Sequence, residues 1–244
     1  MAFFEEEYLA GSPNWEIGRP QEAFIHLLKI GGIRGDVLDV GCGTGENAIL
    51  FASAGHPTWG IDAARSAIDR AAQKAARRQV SVTFRVADAL GLSKLGRTFD
   101  TVVDCNLFGY LSDQGRRTYV RGLAEVTRPG GTVFLLCYSE REPDWGGPRR
   151  IAAEEIRSVF ADGWTVRSIE PARLESADPL VSGIAWLATV DRAGEAPKVT
   201  GAATLSAGRG SRSPSPRRSG GSGAARPRAP RRRTPTVRRA GRAR

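Results

Sequence analysis

The chain is short of several things, and each shortage excludes a class of protein. Its 244 residues include three cysteines, Cys42, Cys105 and Cys137, scattered and without a C-x-x-C pair. These are too few for a disulfide framework and lack zinc-site spacing, so no metal is expected and a reducing cytoplasm is the simplest compartment. No apolar run approaches the roughly 20 residues needed to cross a membrane, so no membrane association is expected. The N-terminus, MAFFEEEYLAG, is acidic where a secretion signal would be basic and then apolar. The two histidines, His26 and His56, fall in an N-terminal helix and just before a strand, where structural roles are expected.

Acidic residues are absent from one end. Residues 207–244 contain 13 arginines and no acid, leaving 23 basic against 26 acidic residues in 1–206. The overall charge of +10 therefore belongs to the tail, and the remainder is mildly acidic. Beyond about residue 193, Ser, Pro, Gly, Ala and Arg dominate without apolar periodicity, which predicts a disordered basic segment over 193–244. Arg231-Arg232-Arg233 would attract any polyanion in a salt-dependent manner. With no aromatic residue, however, the tail offers no stacking platform for bases, so nucleic acid is expected to bind only non-specifically.

What is present is organised around residues 37–54, VLDVGCGTGENAILFASA. Val37-Leu38-Asp39-Val40 reads as a buried parallel strand, Gly41-Cys42-Gly43-Thr44-Gly45 as a glycine turn, and Glu46 onward as a helix. Strand, glycine turn and helix open a doubly wound α/β domain, with a ligand expected at the turn. Two nucleotide-type ligands compete for it. A dinucleotide wants G-x-G-x-x-G with its pyrophosphate on the helix N-terminus. Glu46 stands in place of the third glycine, and Asp39 precedes the first by two residues. A carboxylate there suits S-adenosylmethionine, which carries a sulfonium and an ammonium and no phosphate.

The remaining elements follow in order. Residues 1–20 are aromatic and turn-rich, and 21–30 read as a short amphipathic helix with Phe24, Leu27 and Leu28 on one side. Residues 56–62 form a strand ending in Asp62, 17 positions after Gly45, where an acid can accept both hydroxyls of a ribose or cap the helix expected over 63–78. Further strands are expected over 80–86, 99–104, 132–138, 164–169 and 184–190, and helices over 114–127 and 151–160. This order predicts a mostly parallel seven-stranded sheet with helices on both faces and an antiparallel last strand.

The run VLDVGCGTGENA, the strand ending in Asp62, Ala87-Asp88-Ala89 and Arg128-Pro129-Gly130-Gly131 together resemble a class I S-adenosylmethionine-dependent methyltransferase. The stretch Pro13-Asn14-Trp15-Glu16-Ile17-Gly18-Arg19-Pro20-Gln21 is similar to the W-D-x-G-R-P-Q arm of small bacterial methyltransferases of the thiopurine and tellurite-resistance type, which act on small molecules. The resemblance covers about residues 5–190. It implies an arm and helix over 1–30 covering the donor, a methyltransferase domain over 31–192, and the tail over 193–244.

Carried over, Gly41, Gly43 and Gly45 would line the methionine part of the donor, with Asp39 near its ammonium. Asp62 would bind the ribose and Asp88 the adenine amino group, with Ala63 and Ala89 packed on the ring. Trp15 and Arg19 would belong to the covering arm, Arg19 as a partner for the donor's carboxylate, while Asn106 and Leu107 would lie near the sulfonium. Two departures stand out: Glu16 replaces the family's usual Asp, and Ala64-Arg65 replaces its usual Ser-Pro.

Methyl transfer is an in-line displacement, and proximity alone can supply roughly 7–11 kcal/mol of such a barrier, so no catalytic acid or base is assigned. Phe108, Tyr110, Tyr138, Asp144 and Trp145, on loops at the strand C-termini, are the candidate acceptor residues. Neither an N/D-P-P-aromatic loop nor a Pro-Cys nucleophile is present, which disfavours base methylation. The rival readings are an NAD-dependent oxidoreductase, disfavoured by Glu46 and the Arg-Pro-Gly-Gly ending, and a non-catalytic polyanion binder acting through the tail. No oligomeric state is legible, and a monomer is compatible with the sequence.

Overall fold

The computed structural model describes residues 2–194. The disordered tail expected over 193–244 lies, from residue 195 onward, outside the described residues. Seven strands form one sheet: β1 (Val37–Val40), β2 (Thr58–Asp62), β3 (Thr83–Val86), β4 (Phe99–Cys105), β5 (Thr127–Tyr138), β6 (Trp164–Arg173) and β7 (Ile184–Arg192). Their spatial order is β3-β2-β1-β4-β5-β7-β6. β1 to β5 are parallel, and β7 lies antiparallel between β5 and β6. The helices are α1 (Ala2–Ala10), α2 (Glu22–Lys29), α3 (Glu46–Ser53), α4 (Arg65–Arg77), α5 (Leu107–Tyr110), α6 (Asp113–Val126) and α7 (Ala153–Val159), with a 3-10 turn over Ala89–Leu95.

The strands are short and apolar because both of their faces are covered. Val102, Val133 and Leu135 enter the core beneath α6 and α7, while Val103, Phe134 and Leu136 enter the one beneath α2 and α3. Alternate residues thus serve opposite layers, as period-two side chains must. From β1 the chain winds outward through β2 to β3, then returns to β4 on the other side of β1. The loops leaving β1 and β4 therefore part, opening a cleft at their C-terminal ends.

Several elements differ from the sequence expectation: β5 begins at Thr127 and takes in Arg128-Pro129-Gly130-Gly131, where a helix to 127 and a strand from 132 were expected, and residues 107–110 form the short helix α5. Residues 2–10, read as part of a turn-rich arm, form α1, whose Phe4 and Tyr8 are four positions apart and pack with Trp15 against Ala64 and Ala67. Arg70 of α4 fixes the helix end, donating to the carbonyls of Gly11 at 2.7 Å and Tyr8 at 2.5 Å. β6 extends past residue 169 to Arg173 because its pairing with β7 continues to Ile184.

One slot between β2, the glycine turn and β3 depends on missing side chains. A Cβ on Gly60 would lie 2.7 Å from the Phe84 ring and 3.0 Å from Cys42 Sγ, and one on Gly45 would meet the same ring at 2.7 Å. Gly60→Ala should therefore lower stability by about 1–3 kcal/mol through overpacking. Adding Phe84→Leu should recover part of that loss, read from urea midpoints. A neutral Gly60→Ala would show that the slot is not tight.

Candidate active site

The turn after β1 holds Gly41, Gly43 and Gly45 at φ 68°, 53° and 83°, a region that strains other residues. The space freed by each absent side chain is taken by protein. A Cβ on Gly41 would lie 3.1 Å from the Leu107 side chain, and one on Gly43 would lie 2.7 Å from the Tyr8 hydroxyl. Asp62, at the end of β2, accepts the Gly43 N–H at 2.9 Å and the Ala64 N–H at 2.8 Å. It closes the turn and caps the approach to α4 at once. Burial raises its pKa, and these backbone donors work against the rise.

A cavity of about 410 Å³ opens where the loops part. The arm contributes Trp15 and Arg19, the β1 turn Gly41 and Gly43, and the end of β2 Asp62 and Ala63. Asp88 and Ala89 reach it from the end of β3, and Asn106 and Leu107 from β4. Tyr110 and Tyr138 complete the set of sequence candidates on its wall. Asp88 caps the 3-10 turn, accepting the Leu90 N–H at 2.9 Å.

Five candidates lie off the wall. Gly45 is turned to Phe84 and Ala71. Phe108 is fully buried, with the Arg116 guanidinium 5.2 Å from its ring centre. Asp144 points to solvent, its side chain 91% exposed. Trp145 stands behind Tyr138 at 5.5 Å, with its indole N–H on Glu142. Asp39 is fully buried beside Cys42 and Cys105, two thiols that do line the cavity. Neither Asp39 oxygen, nor Asn106 Oδ1 or Asp104 Oδ2, has a well-formed hydrogen bond among the described residues, although the Ala48 N–H is directed at Asp39 and the Tyr119 hydroxyl at Asp104.

The arm is fastened through residues that sequence reasoning left without a role. Glu16 accepts the Thr44 backbone N–H at 3.2 Å and the Thr44 hydroxyl, and Lys74 of α4 approaches it at 3.5 Å. An internal carboxylate thus fills the anion position beside the N-terminus of α3, where a phosphate would have to sit. Glu46 does not play that part. Its carboxylate is paired with Lys74 at 2.9 Å and Arg78 at 2.8 Å, which holds its pKa below the ordinary value against the opposing effect of burial. Glu16 rather than Glu46 is therefore the carboxylate that excludes a phosphate there.

Arg19 makes two hydrogen bonds to Glu175, at 2.9 and 2.7 Å. Gln21 exchanges two more with the Glu175 backbone, joining the arm to the segment after β6. Tyr8, hidden by the missed α1, accepts the Trp15 indole N–H at 2.8 Å. The i,i+4 spacing of Phe4 and Tyr8 was the available signal.

Comparison with known proteins places this geometry in context. The family model described as "Methyltransferase domain" matches residues 37–131. The 2-heptyl-1-hydroxyquinolin-4(1H)-one methyltransferase of Mycobacteroides abscessus is 37% identical over 171 residues, covering 69% of this chain and 75% of that protein. The probable thiol methyltransferase 2 of Arabidopsis thaliana is 24% identical over 159 residues, 64% of this chain and 70% of that one. A chain solved in work on the conversion of a disulfide bond into a thioacetal group during echinomycin biosynthesis superposes with a TM-score of 0.71. It is 32% identical and covers 81% of this chain and 91% of its own.

Burial holds the Asp39 and Asp104 carboxyls well above the ordinary carboxylate range, and the Asp104 charge adds to the rise at Asp39. Below about pH 3, the folded and unfolded chains both keep these protons. As pH rises towards neutrality the unfolded chain loses them first, so this contribution to stability declines. Asp39→Asn should flatten that decline and raise stability near pH 8 by about 1–3 kcal/mol. Urea unfolding at pH 5 and pH 8 measures it. Parallel pH dependences for the two proteins would mean that Asp39 ionises freely in the fold.

Proposed function

The chain belongs to the class I S-adenosylmethionine-dependent methyltransferases, and from that premise we propose how its cavity divides between a methyl donor and a small-molecule acceptor. When bound, S-adenosylmethionine supplies an electrophilic methyl group on a cationic sulfur. The residues present fit that group. Of the lining carboxylates, Glu16 and Glu46 are matched by Lys74 and Arg78 and Glu175 by Arg19, which leaves Asp62 and Asp88 as net negative charge that favours a donor with a sulfonium and an ammonium.

The observation that carries the assignment is the row of carboxylates ending three neighbouring strands, with Asp39, lacking any well-formed hydrogen bond, innermost. A buried carboxylate without a partner is costly, and an ammonium held close by offsets that cost. Asp62 keeps an acceptor lone pair on each oxygen beyond its backbone bond, enough for two ribose hydroxyls. Asp88 and Ala89 then face the adenine, with Ala63 packing on the ring. Asn106 and Leu107 lie towards the sulfur. In the arm over residues 1–30, Trp15 covers the donor and Arg19 reaches its carboxylate by exchanging partners with Glu175. A nicotinamide dinucleotide is disfavoured because Glu16 already satisfies the Thr44 N–H that would cradle a phosphate.

The acceptor is a small molecule presenting a sulfur, oxygen or nitrogen nucleophile, a reading supported by relatives named for a hydroxyquinolinone and a thiol. No helix among the described residues is long and apolar enough to cross a membrane. The three cysteines are free thiols, which supports a reducing compartment such as the cytoplasm.

Calorimetric titration with S-adenosylmethionine, S-adenosylhomocysteine and NAD tests the assignment. The first two should bind and NAD should not. Asp62→Ala should weaken donor binding about 10- to 100-fold, the equivalent of losing a charged acceptor worth about 1.5–3 kcal/mol. Binding of NAD alone, or unchanged donor affinity in folded Asp62→Ala, would overturn the assignment.

A further inference from the structure

Two carboxyl groups on neighbouring strands are shut away from water, and neither has an ion pair among the described residues. Asp39 on β1 and Asp104 on β4 are fully buried and one step apart in register, since Asp39 pairs with Val103 and Val40 with Asp104. Val103 enters the layer beneath α2 and α3 and Val40 the layer beneath α6 and α7, so the two acids leave the sheet on opposite faces. Asp104 is turned to α5 and α6. It accepts the Leu107 N–H at 2.9 Å, and the Tyr119 hydroxyl is directed at it. Asp39 is turned to α3, where only the Ala48 N–H is directed at it and neither oxygen makes a well-formed hydrogen bond. It lies beneath the glycine turn beside Cys42 and Cys105, and these two thiols line the cavity.

The groups that face the pair oppose its ionisation. Asp39 meets Asp62 from β2, Asp104 and Cys105 from β4, Cys42 from the turn and Tyr119 from α6. Asp104 meets Tyr119, Cys105 and, from β5, Cys137. Every one of these is neutral or acidic. The cations of neighbouring elements are engaged elsewhere, Arg116 by the Phe108 carbonyl, Asp113 and Glu155, Lys74 by Glu16 and Glu46, and Arg19 by Glu175. A carboxylate stripped of water and without a cation is strongly unfavourable, and a second acid beside it adds repulsion. Burial accordingly pushes the Asp39 carboxyl up to about 8 and that of Asp104 up to about 7, with the Asp104 charge adding to the rise at Asp39.

We propose that the donor's ammonium enters this site in exchange for a proton: the free protein keeps Asp39 as the neutral acid, and seating the ammonium beside it ionises Asp39. This rests on the donor assignment above. The Asp39 O–H bond breaks with its electrons left on oxygen, the proton passes to bulk water, and the ammonium keeps all of its own protons. A neutral acid beneath the glycine turn is thereby replaced by an ion pair, with one positive charge entering and one leaving. Asp62 is the competing source of a proton, since burial raises its pKa as well. It would answer to the ribose, whereas Asp39 answers to the ammonium, so the two sources separate by ligand.

Calorimetric titration of the full chain with S-adenosylhomocysteine, in buffers of equal pH and unequal ionisation enthalpy, counts the protons. Near pH 6.5 the count should approach about one proton released per ligand bound. Affinity should rise about tenfold per pH unit from about pH 5.5 to 7, a range in which an α-amino group keeps its charge. The nucleoside 5′-methylthioadenosine, which keeps the ribose and adenine and has no ammonium, should release none. Equal release by that nucleoside would assign the proton to Asp62 and overturn the proposal. So would a proton still released by folded Asp39→Asn. Binding of S-adenosylhomocysteine without any release would also overturn it and leave the donor assignment standing, whereas failure of that ligand to bind would strike the donor assignment and the proposal together.

Discussion

A carboxyl group buried near the end of β1 sets the terms for this site. Asp39 is enclosed between β2 and β4, fully shielded from water, with neither oxygen in a well-formed hydrogen bond. The sheet accommodates it there because the winding direction reverses around β1, leaving a cleft that sequential strand order would have filled. The glycine turn then lifts the chain over the strand end without side chains of its own, and Leu107 and the Tyr8 hydroxyl occupy the space this frees. An acid so placed suits the proposed donor, which carries two cationic groups.

The N-terminal arm is the second determinant, and its attachment is ionic where the domain beneath is apolar. Glu16 joins the arm to Thr44 and Lys74, and Arg19 and Gln21 join it to Glu175. These contacts close one side of the cavity with polar bonds, while Phe4 and Trp15 present rings to it. One short segment therefore supplies a polar seal and an aromatic wall. The same Glu16 carboxylate satisfies an N–H beside α3 that phosphate-binding folds leave open.

Much of the fold was legible because its signals are local. The apolar run 37–40, the glycine turn and the acid ending β2 each follow from short-range rules, and with the order of strands and helices they specify a mostly parallel sheet with an antiparallel last strand, whereas Arg128-Pro129-Gly130-Gly131, read as a helix stop, lies inside β5. Contacts between distant segments were not legible. The pairing of Glu46 with Lys74 and Arg78 spans about thirty residues and inverts the electrostatic part that its position implied. Phe108 reads as a loop aromatic, yet Asp104 caps α5 through the Leu107 N–H and turns that ring under Arg116. Asp144 and Trp145 sit on the expected loop, but one faces solvent and the other backs Tyr138. Topology gives a side chain's neighbourhood and leaves its direction open.

The most direct measurement is a crystal structure of the full chain with S-adenosylhomocysteine. The account requires the ammonium within reach of Asp39, directly or through one water, the ribose hydroxyls on Asp62, the adenine beside Asp88, and the sulfur beside Asn106 and Leu107. A ribose away from Asp62, or an ammonium remote from Asp39, would contradict it.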